Sequence, residues 1–356
     1  MKLIKFDKEE DYIKEFTGLP AKLYGKKDNM EDPSSMRKIL LGEHPLCKYF
    51  ALDKYLVTDD QGTVAGRFCI TTYEGDDTAY IGYFECIDDK AVAKFLFDSA
   101  YEICKSKGYK RIEGPVDSSF WIKYRLKINR FGSPYTGEPY NREYYFDLFK
   151  DNGYEVKEHY TSHAFRAIDD SYQNEIYEER FKEFLAHGYE IRSPGPGEFS
   201  TAIEDVYRLV TDLYSDFPIF KDVKKEDFCE VFKSYEQIMD MSMTKIAYFE
   251  GKAVGFYVSI PDYGNLVYHT GNPLNILKIL KLKKKPERYV MLYMGVDQAH
   301  RGLGKALVYA IMKELMKSKV SSIGALMRDG KKTQEYAADD ITDVYEYVLL
   351  ERKIGE

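Results

Sequence analysis

Cysteine is scarce in this chain. Its 356 residues include five, Cys47, Cys69, Cys86, Cys104 and Cys229, odd in number and never in CxxC spacing. That excludes a disulfide framework and a zinc ribbon, and it fits reduced thiols in a cytoplasm. Histidine is scarce too, and the six form no HExxH-type pair, so no metal is expected. Long hydrophobic runs are missing. None approaches the ~18 residues of a membrane span, and the charged opening MKLIKFDKEEDYIKEF lacks the apolar core of a signal peptide. The expectation is a cytoplasmic protein with no stable membrane insertion. An excess of positive charge is also lacking. The formal net charge is −7, which argues against a nucleic-acid partner. What remains, 44% hydrophobic and 31% charged residues, is the composition of a globular protein. The length suggests two domains.

The two halves follow one plan. Hairpin patterns at 55-YLVTDDQGTVAGRFCITTY-73 and 245-KIAYFEGKAVGFYVSIPDY-263 combine β-branched and aromatic arms with a glycine turn. Each is followed by an apolar strand pattern, 79–87 and 289–296, and then by a helix pattern, 89–108 and 303–320. A further strand (109–114 and 321–327), a helix (141–156 and 329–341) and a closing strand (158–167 and 343–353) complete each half. Strands alternating with helices predict an α/β fold with mixed sheets, built twice. Pro194, Gly195, Pro196 and Gly197 break any regular element. The expected organisation is a first domain over 1–187, a linker over 188–198 and a second domain over 199–356.

The motif with most chemical content is 296-VDQAHRGLGKAL-307, between an apolar strand and a long helix. Glycines let a backbone turn tightly and aim successive N–H groups at an anion, and the helix N-terminus adds partial positive charge. A nucleotide P-loop is excluded, because Gly304-Lys305 is followed by Ala306 and position 299 is Ala rather than Gly. A dinucleotide fingerprint needs a third glycine at 307, which is Leu.

What remains, Arg301-Gly302-Leu303-Gly304-Lys305-Ala306, resembles the pyrophosphate-binding motif of the GNAT superfamily of acyl-CoA N-acyltransferases. The resemblance spans about 46–167 and 199–356 and implies tandem GNAT-like domains. It implies that the 301–306 backbone holds the pyrophosphate of coenzyme A and that the pantetheine arm pairs with Met294, Gly295 and Val296. Ala299 departs from the family, which places Gln or Arg there; His300 and Arg301 are the substitutes. In the first half Asp88 and Asp89 stand where the glycine turn should be, and two carboxylates repel a pyrophosphate. One coenzyme site is therefore expected, in the second half, beside a degenerate first copy.

The implied reaction is attack of an amine on an acyl-CoA thioester, acetyl-CoA first among the donors and a small-molecule or peptide amine the acceptor. The resemblance places a thiolate-protonating tyrosine at Tyr336, on an expected helix over 330–338 capped by Asp329. The strand 289–296 carries no acid to serve as base. Asp297, His269, Tyr268 and water stay open for that task. Two long connections are candidates for the acceptor site: 114–141, with Trp121 and Glu138, and 261–288, with His269 and the mixed apolar and basic run 276-ILKILKLKKK-285. That run reads as a solvated helix, extra charge for the coenzyme phosphates, a membrane-surface helix or an anionic acceptor site. Two further readings are an aminoacyl transferase of the Fem type, also built from two GNAT-like domains, and a non-catalytic acyl-CoA-binding protein.

Overall fold

The computed structural model describes residues 1–355. It divides into two compact units. The first comprises Met1–Pro134, Glu138–Tyr160 and the segment that starts at Glu346; the second comprises Tyr135–Gly137 and Thr161–Tyr345.

In chain order the first unit contains β1 (Lys2–Phe6), α1 (Glu10–Leu23), α2 (Pro33–Leu41), β2 (Ala51–Thr58), β3 (Val64–Thr72), β4 (Thr78–Cys86) and α3 (Lys90–Ser106). The short strands β5 (Arg111–Gly114), β6 (Val116–Asp117), β7 (Lys123–Tyr124) and β8 (Leu126–Lys127) follow, then α4 (Tyr145–Asp151). The next strand, β9 (Glu155–Phe165), leads into the second unit. There the order is α5 (Glu175–Ala186), β10 (Glu190–Arg192), α6 (Phe199–Leu213), α7 (Lys225–Phe232), β11 (Thr244–Phe249), β12 (Lys252–Pro261) and α8 (Pro273–Lys284). The chain ends with β13 (Arg288–Val296), α9 (Leu303–Ser318), β14 (Ser321–Arg328) and β15 (Ile341–Lys353).

The common plan is visible in both units. Antiparallel β2–β3–β4 leads through α3 to β5, which pairs in parallel with β4. Antiparallel β11–β12–β13 leads through α9 to β14, which pairs in parallel with β13. The helices seat by periodicity. On α9, Leu303, Ala306, Leu307, Ala310, Ile311 and Leu315 recur at helical spacing and are all buried. On α3, Val92, Leu96, Phe97, Ala100 and Cys104 do the same, and Phe97 stacks on Phe84 of β4.

The units are not the expected domains. The last strand of the chain completes the first unit: Leu350, Glu351 and Arg352 of β15 pair with Gly114, Glu113 and Ile112 of β5. Its four residues Tyr347–Leu350 are all buried, as in a strand covered on both faces. Conversely the segment 161–187, expected in the first domain, belongs to the second unit, where α5 packs on α9. Tyr135–Gly137 joins it because Thr136 donates to Asp262. Which unit a closing strand joins leaves no mark on hydrophobic periodicity, because β9 and β15 each carry a run of four consecutive buried residues that fits a covered position in either sheet.

Candidate functional site

In the second unit β13 and β14 start as partners and then part. Their pairing runs from Arg288–Ser321 to Met291–Gly324, although β13 continues to Val296 and β14 to Arg328. On its other edge β13 stays paired, with Met294 opposite Tyr257 and Val296 opposite Gly255, after a register shift that leaves Leu292 as a bulge. The backbone from Leu292 to Val296 thus has one edge without a strand partner in β14. An extended amide chain such as pantetheine can pair with an edge of that kind. Tyr214 donates to the Met294 carbonyl and holds this stretch in place.

The glycine turn follows at once. Asp297 caps a short turn by accepting from Ala299 N–H at 2.9 Å. Gly302 has φ +94°, a left-handed conformation natural to glycine, and is the N-cap of α9, with no side chain on the helix N-terminus. The first N–H groups of a helix lack intrahelical partners, so they point out of its end together with the positive pole of the dipole. Arg301 is exposed and Lys305 half-buried, both placed to add charge. Leu303 and Ala306 are fully buried, so they can contribute only backbone. His300 is held by Tyr189, whose hydroxyl lies 2.7 Å from its Nδ1.

Gly304 is glycine for a second reason. A Cβ there would lie 2.2 Å from the Tyr336 hydroxyl and 3.3 Å from Cε of Met294. Gly304, Met294 and Tyr336 therefore meet at one point, the junction of turn and strand. The expected helix over 330–338 is absent. Lys332–Glu335 and Ala338–Asp340 form two short 3-10 turns with Tyr336 extended between them, and Asp329 accepts from the Gln334 side chain instead of capping a helix. The reason lies in α5. The Tyr177 hydroxyl accepts from Ala337 N–H at 3.0 Å, pinning the backbone at a residue with φ +53°, and the Tyr177 ring meets that of Tyr336 edge-on. Burial, with Tyr177 close by, raises the Tyr336 phenol above its ordinary pKa, so it stays protonated through the neutral range. Tyr177 was not legible as a site residue, because its segment reads as part of the first half.

The other candidate residues are not brought to this point. His269 lies in the β12–β13 connection, where its carbonyl accepts from Asn275 at the start of α8. Trp121 belongs to the first unit and packs edge-on against Phe120. Glu138 is in the interior of the first unit, its carboxylate taken by Lys127 and by the Tyr347 hydroxyl. It serves as the counter-ion of a buried lysine, not as an open site for an ammonium group.

The corresponding place in the first unit is closed by the chain itself. Asp89 occupies the N-terminus of α3, accepting from Ala91 and Val92 N–H at 2.7 and 3.2 Å. β4 and β5 pair only from Thr78–Arg111 to Tyr80–Glu113 and then part, as in the second unit. Here the segment Pro115–Asp117 fills the gap. The Val116 carbonyl would lie 1.8 Å from a Cβ on Gly82, and Asp117 accepts from Tyr83 N–H. Next to this plug is a polar cavity of about 40 Å³ lined by Glu31, Glu85, Asp117, Lys123 and several tyrosines, large enough for a few waters. Glu85 accepts from Tyr24 and Tyr145, and burial pushes its carboxyl up to about 7 although Arg67 lies 3.6 Å away.

No family model matches the sequence. A bacterial ceramide synthase from Caulobacter vibrioides is 22% identical over 277 residues, 72% of this chain and 68% of that protein. Among solved structures, a tandem GNAT protein from the clavulanic acid biosynthesis pathway superposes over 100% of this chain and 99% of its own, with TM-score 0.53 and 12% identity. A GCN5-related N-acetyltransferase from Kribbella flavida covers 99% of this chain and 72% of its own at TM-score 0.51 and 10% identity. A glucosamine N-acetyltransferase region of a fungal multi-domain β-N-acetylglucosaminidase covers 98% of this chain and 38% of its own at TM-score 0.54 and 14% identity.

Proposed function

We propose, from a chain that has the tandem GNAT fold, that its second unit binds an acyl-CoA where β13 meets α9 and transfers the acyl group to an amine. The observation that carries this reading is the meeting of three features: the edge of Leu292–Val296 that β14 leaves unpaired, with the Met294 carbonyl held by Tyr214, the bare N-terminus of α9 at Gly302–Gly304, and the Tyr336 hydroxyl beside Gly304 and Met294. The coenzyme's pyrophosphate suits the helix N-terminus with Arg301 and Lys305, and its amide arm suits the strand edge. In the transfer the amine nitrogen bonds to the thioester carbonyl carbon and the C–S bond breaks. The thiolate takes a proton from Tyr336, and the amine's proton leaves through water, since β13 has no acid. The charge that builds on the carbonyl oxygen suits an N–H on that edge of β13.

The donor is acetyl-CoA or a longer acyl-CoA. A ceramide, the product in the relative's name, is a fatty amide of a long-chain amino alcohol. A fatty acyl-CoA and an amino alcohol therefore belong beside acetyl-CoA and small or peptide amines in a substrate screen. The free thiols fit a cytoplasmic setting. Calorimetric titration with acetyl-CoA and with a medium-chain acyl-CoA tests the site. One site per chain is expected, with binding lost in Gly304→Asp, whose side chain would collide with Tyr336 and set a carboxylate against the pyrophosphate. Unchanged binding in that variant would refute the assignment.

A further inference from the structure

The β12–β13 connection of the second unit carries a surface that acyl transfer leaves unexplained. Between Tyr263 and Pro286 the sequence has five lysines, Lys278, Lys281, Lys283, Lys284 and Lys285, and no acid, in a chain whose formal net charge is −7. The structure places the lysines on α8 and its C-cap. This helix is well made: Pro273 opens it, and the Asn272 side chain accepts from Leu274 N–H. Yet only Ile279 is buried. Leu274, Ile276, Leu277 and Leu280 are 64%, 44%, 63% and 58% exposed, four of the ten large apolar side chains that are exposed among the described residues. Scattered exposed apolar side chains are ordinary, but four on three turns are not.

Apart from Ile276 and Lys283, which lie on the Ile279 side, the two kinds of residue share one face. At ~100° per residue, Leu274, Leu277, Lys281 and Lys284 all lie within roughly 40° of the direction opposite Ile279. Leu280 and Lys278 flank them. Lys283 is tethered to the Gln237 carbonyl, while no ion pair holds the other four lysines among the described residues. A protein partner that covered this face would have to bury the ammonium groups of Lys281 and Lys284, which continue the same stripe as Leu274 and Leu277. A lipid surface imposes no such cost. Leucine side chains enter the acyl boundary while lysine stems lie along it, with their ammonium groups among the headgroup phosphates.

We propose that α8 is an interfacial helix that docks the second unit on a bilayer surface carrying anionic phospholipid, lying on the membrane and not crossing it. The inference stands on α8 alone and is independent of the acyl-transfer reading. It is tested by co-sedimentation of the full chain with phosphatidylcholine vesicles, with and without about a third phosphatidylglycerol. Binding to the anionic vesicles is expected, at least tenfold tighter than to the neutral ones, and weakening steeply as salt rises from ~0.1 to ~0.5 M. Leu277→Ser with Leu280→Ser should weaken it at least tenfold without changing the thermal midpoint, because both side chains are exposed. Lys281→Glu with Lys284→Glu should weaken it as much and flatten the salt dependence. Equal affinity for the two vesicle types overturns the proposal, and so does the absence of binding to either. Binding that the leucine replacements leave intact also overturns it, since the contact would then be a purely electrostatic one.

Discussion

Two side-chain groups offer direct tests by single substitution. The first is the Tyr336 hydroxyl, held against Gly304 by the Tyr177 anchor at Ala337. If it protonates the departing thiolate, Tyr336→Phe should lower kcat by ~10²–10⁴-fold and leave acyl-CoA affinity within a few-fold. Steady-state kinetics with a calorimetric Kd on the same protein separates the two. An equal loss of affinity would make the tyrosine a binding residue. The second is the Glu85 carboxyl oxygen in the first unit. Its folded pKa, about 7, lies above the ordinary 4.5 because burial penalises the charged form. Stability from this group is therefore full below the ordinary carboxylate range and is lost as pH rises through 7. The loss is on the order of 3 kcal/mol at most. Glu85→Gln keeps an acceptor for Tyr24 and Tyr145 without the charge, so its urea midpoint should hardly change between about pH 5 and about pH 8 while that of the parent falls. Parallel profiles would show that Arg67 keeps the carboxylate ionised at no cost.

Among the elements, the contrast between α9 and α3 sets how many coenzymes one chain should take under the proposed function. Both are long, amphipathic and preceded by a strand that splays from its neighbour, but the N-terminus of α9 is bare and that of α3 is filled by Asp89. Replacing Asp88 and Asp89 by alanine should cost about 1 kcal/mol of stability for the lost cap and leave calorimetric stoichiometry at one per chain, because Pro115–Asp117 still fills the β4–β5 gap. A second equivalent bound would show that the carboxylates alone close the first site. Here the sequence was informative. The glycine turn, its strand and helix, and the acids that replace the turn in the other half were all readable, because each is a local pattern of φ preference, charge and periodicity. The plug was not. A carbonyl that approaches Gly82 from the next strand is a tertiary contact, and nothing in 114-GPVD-117 announces it. The helix expected over 330–338 failed for a related reason. Its pattern is helical, but a hydrogen bond from Ala337 to a residue 160 positions earlier fixes an extended tyrosine instead.

For the whole molecule, the repeated plan was legible and the partition was not. Two copies in sequence suggest two domains in sequence, yet the segment from Glu346 completes the unit that begins at Met1. That gives the last strand a role the sequence order hides. Val348 and Leu350 enter the first unit's core, Tyr347 donates to Glu138, and β15 pairs with both β5 and β8. Removing one large core side chain costs ~2–5 kcal/mol, and a whole domain is stable by only ~5–15 kcal/mol. A chain ended after Tyr345 loses four buried residues at once and one of the two strand partners of β5, so its first unit should not fold. The residues proposed to hold acyl-CoA, from Met294 to Tyr336, all precede the cut. Trp121 is the only tryptophan and lies in the first unit, so its fluorescence follows that unit, while coenzyme titration follows the second. The truncated protein should lose the cooperative fluorescence transition in urea and still bind acyl-CoA at one site. A native Trp121 transition in the truncated chain would mean that the first half completes its own sheet, and that the exchanged closing strand is not essential to its fold.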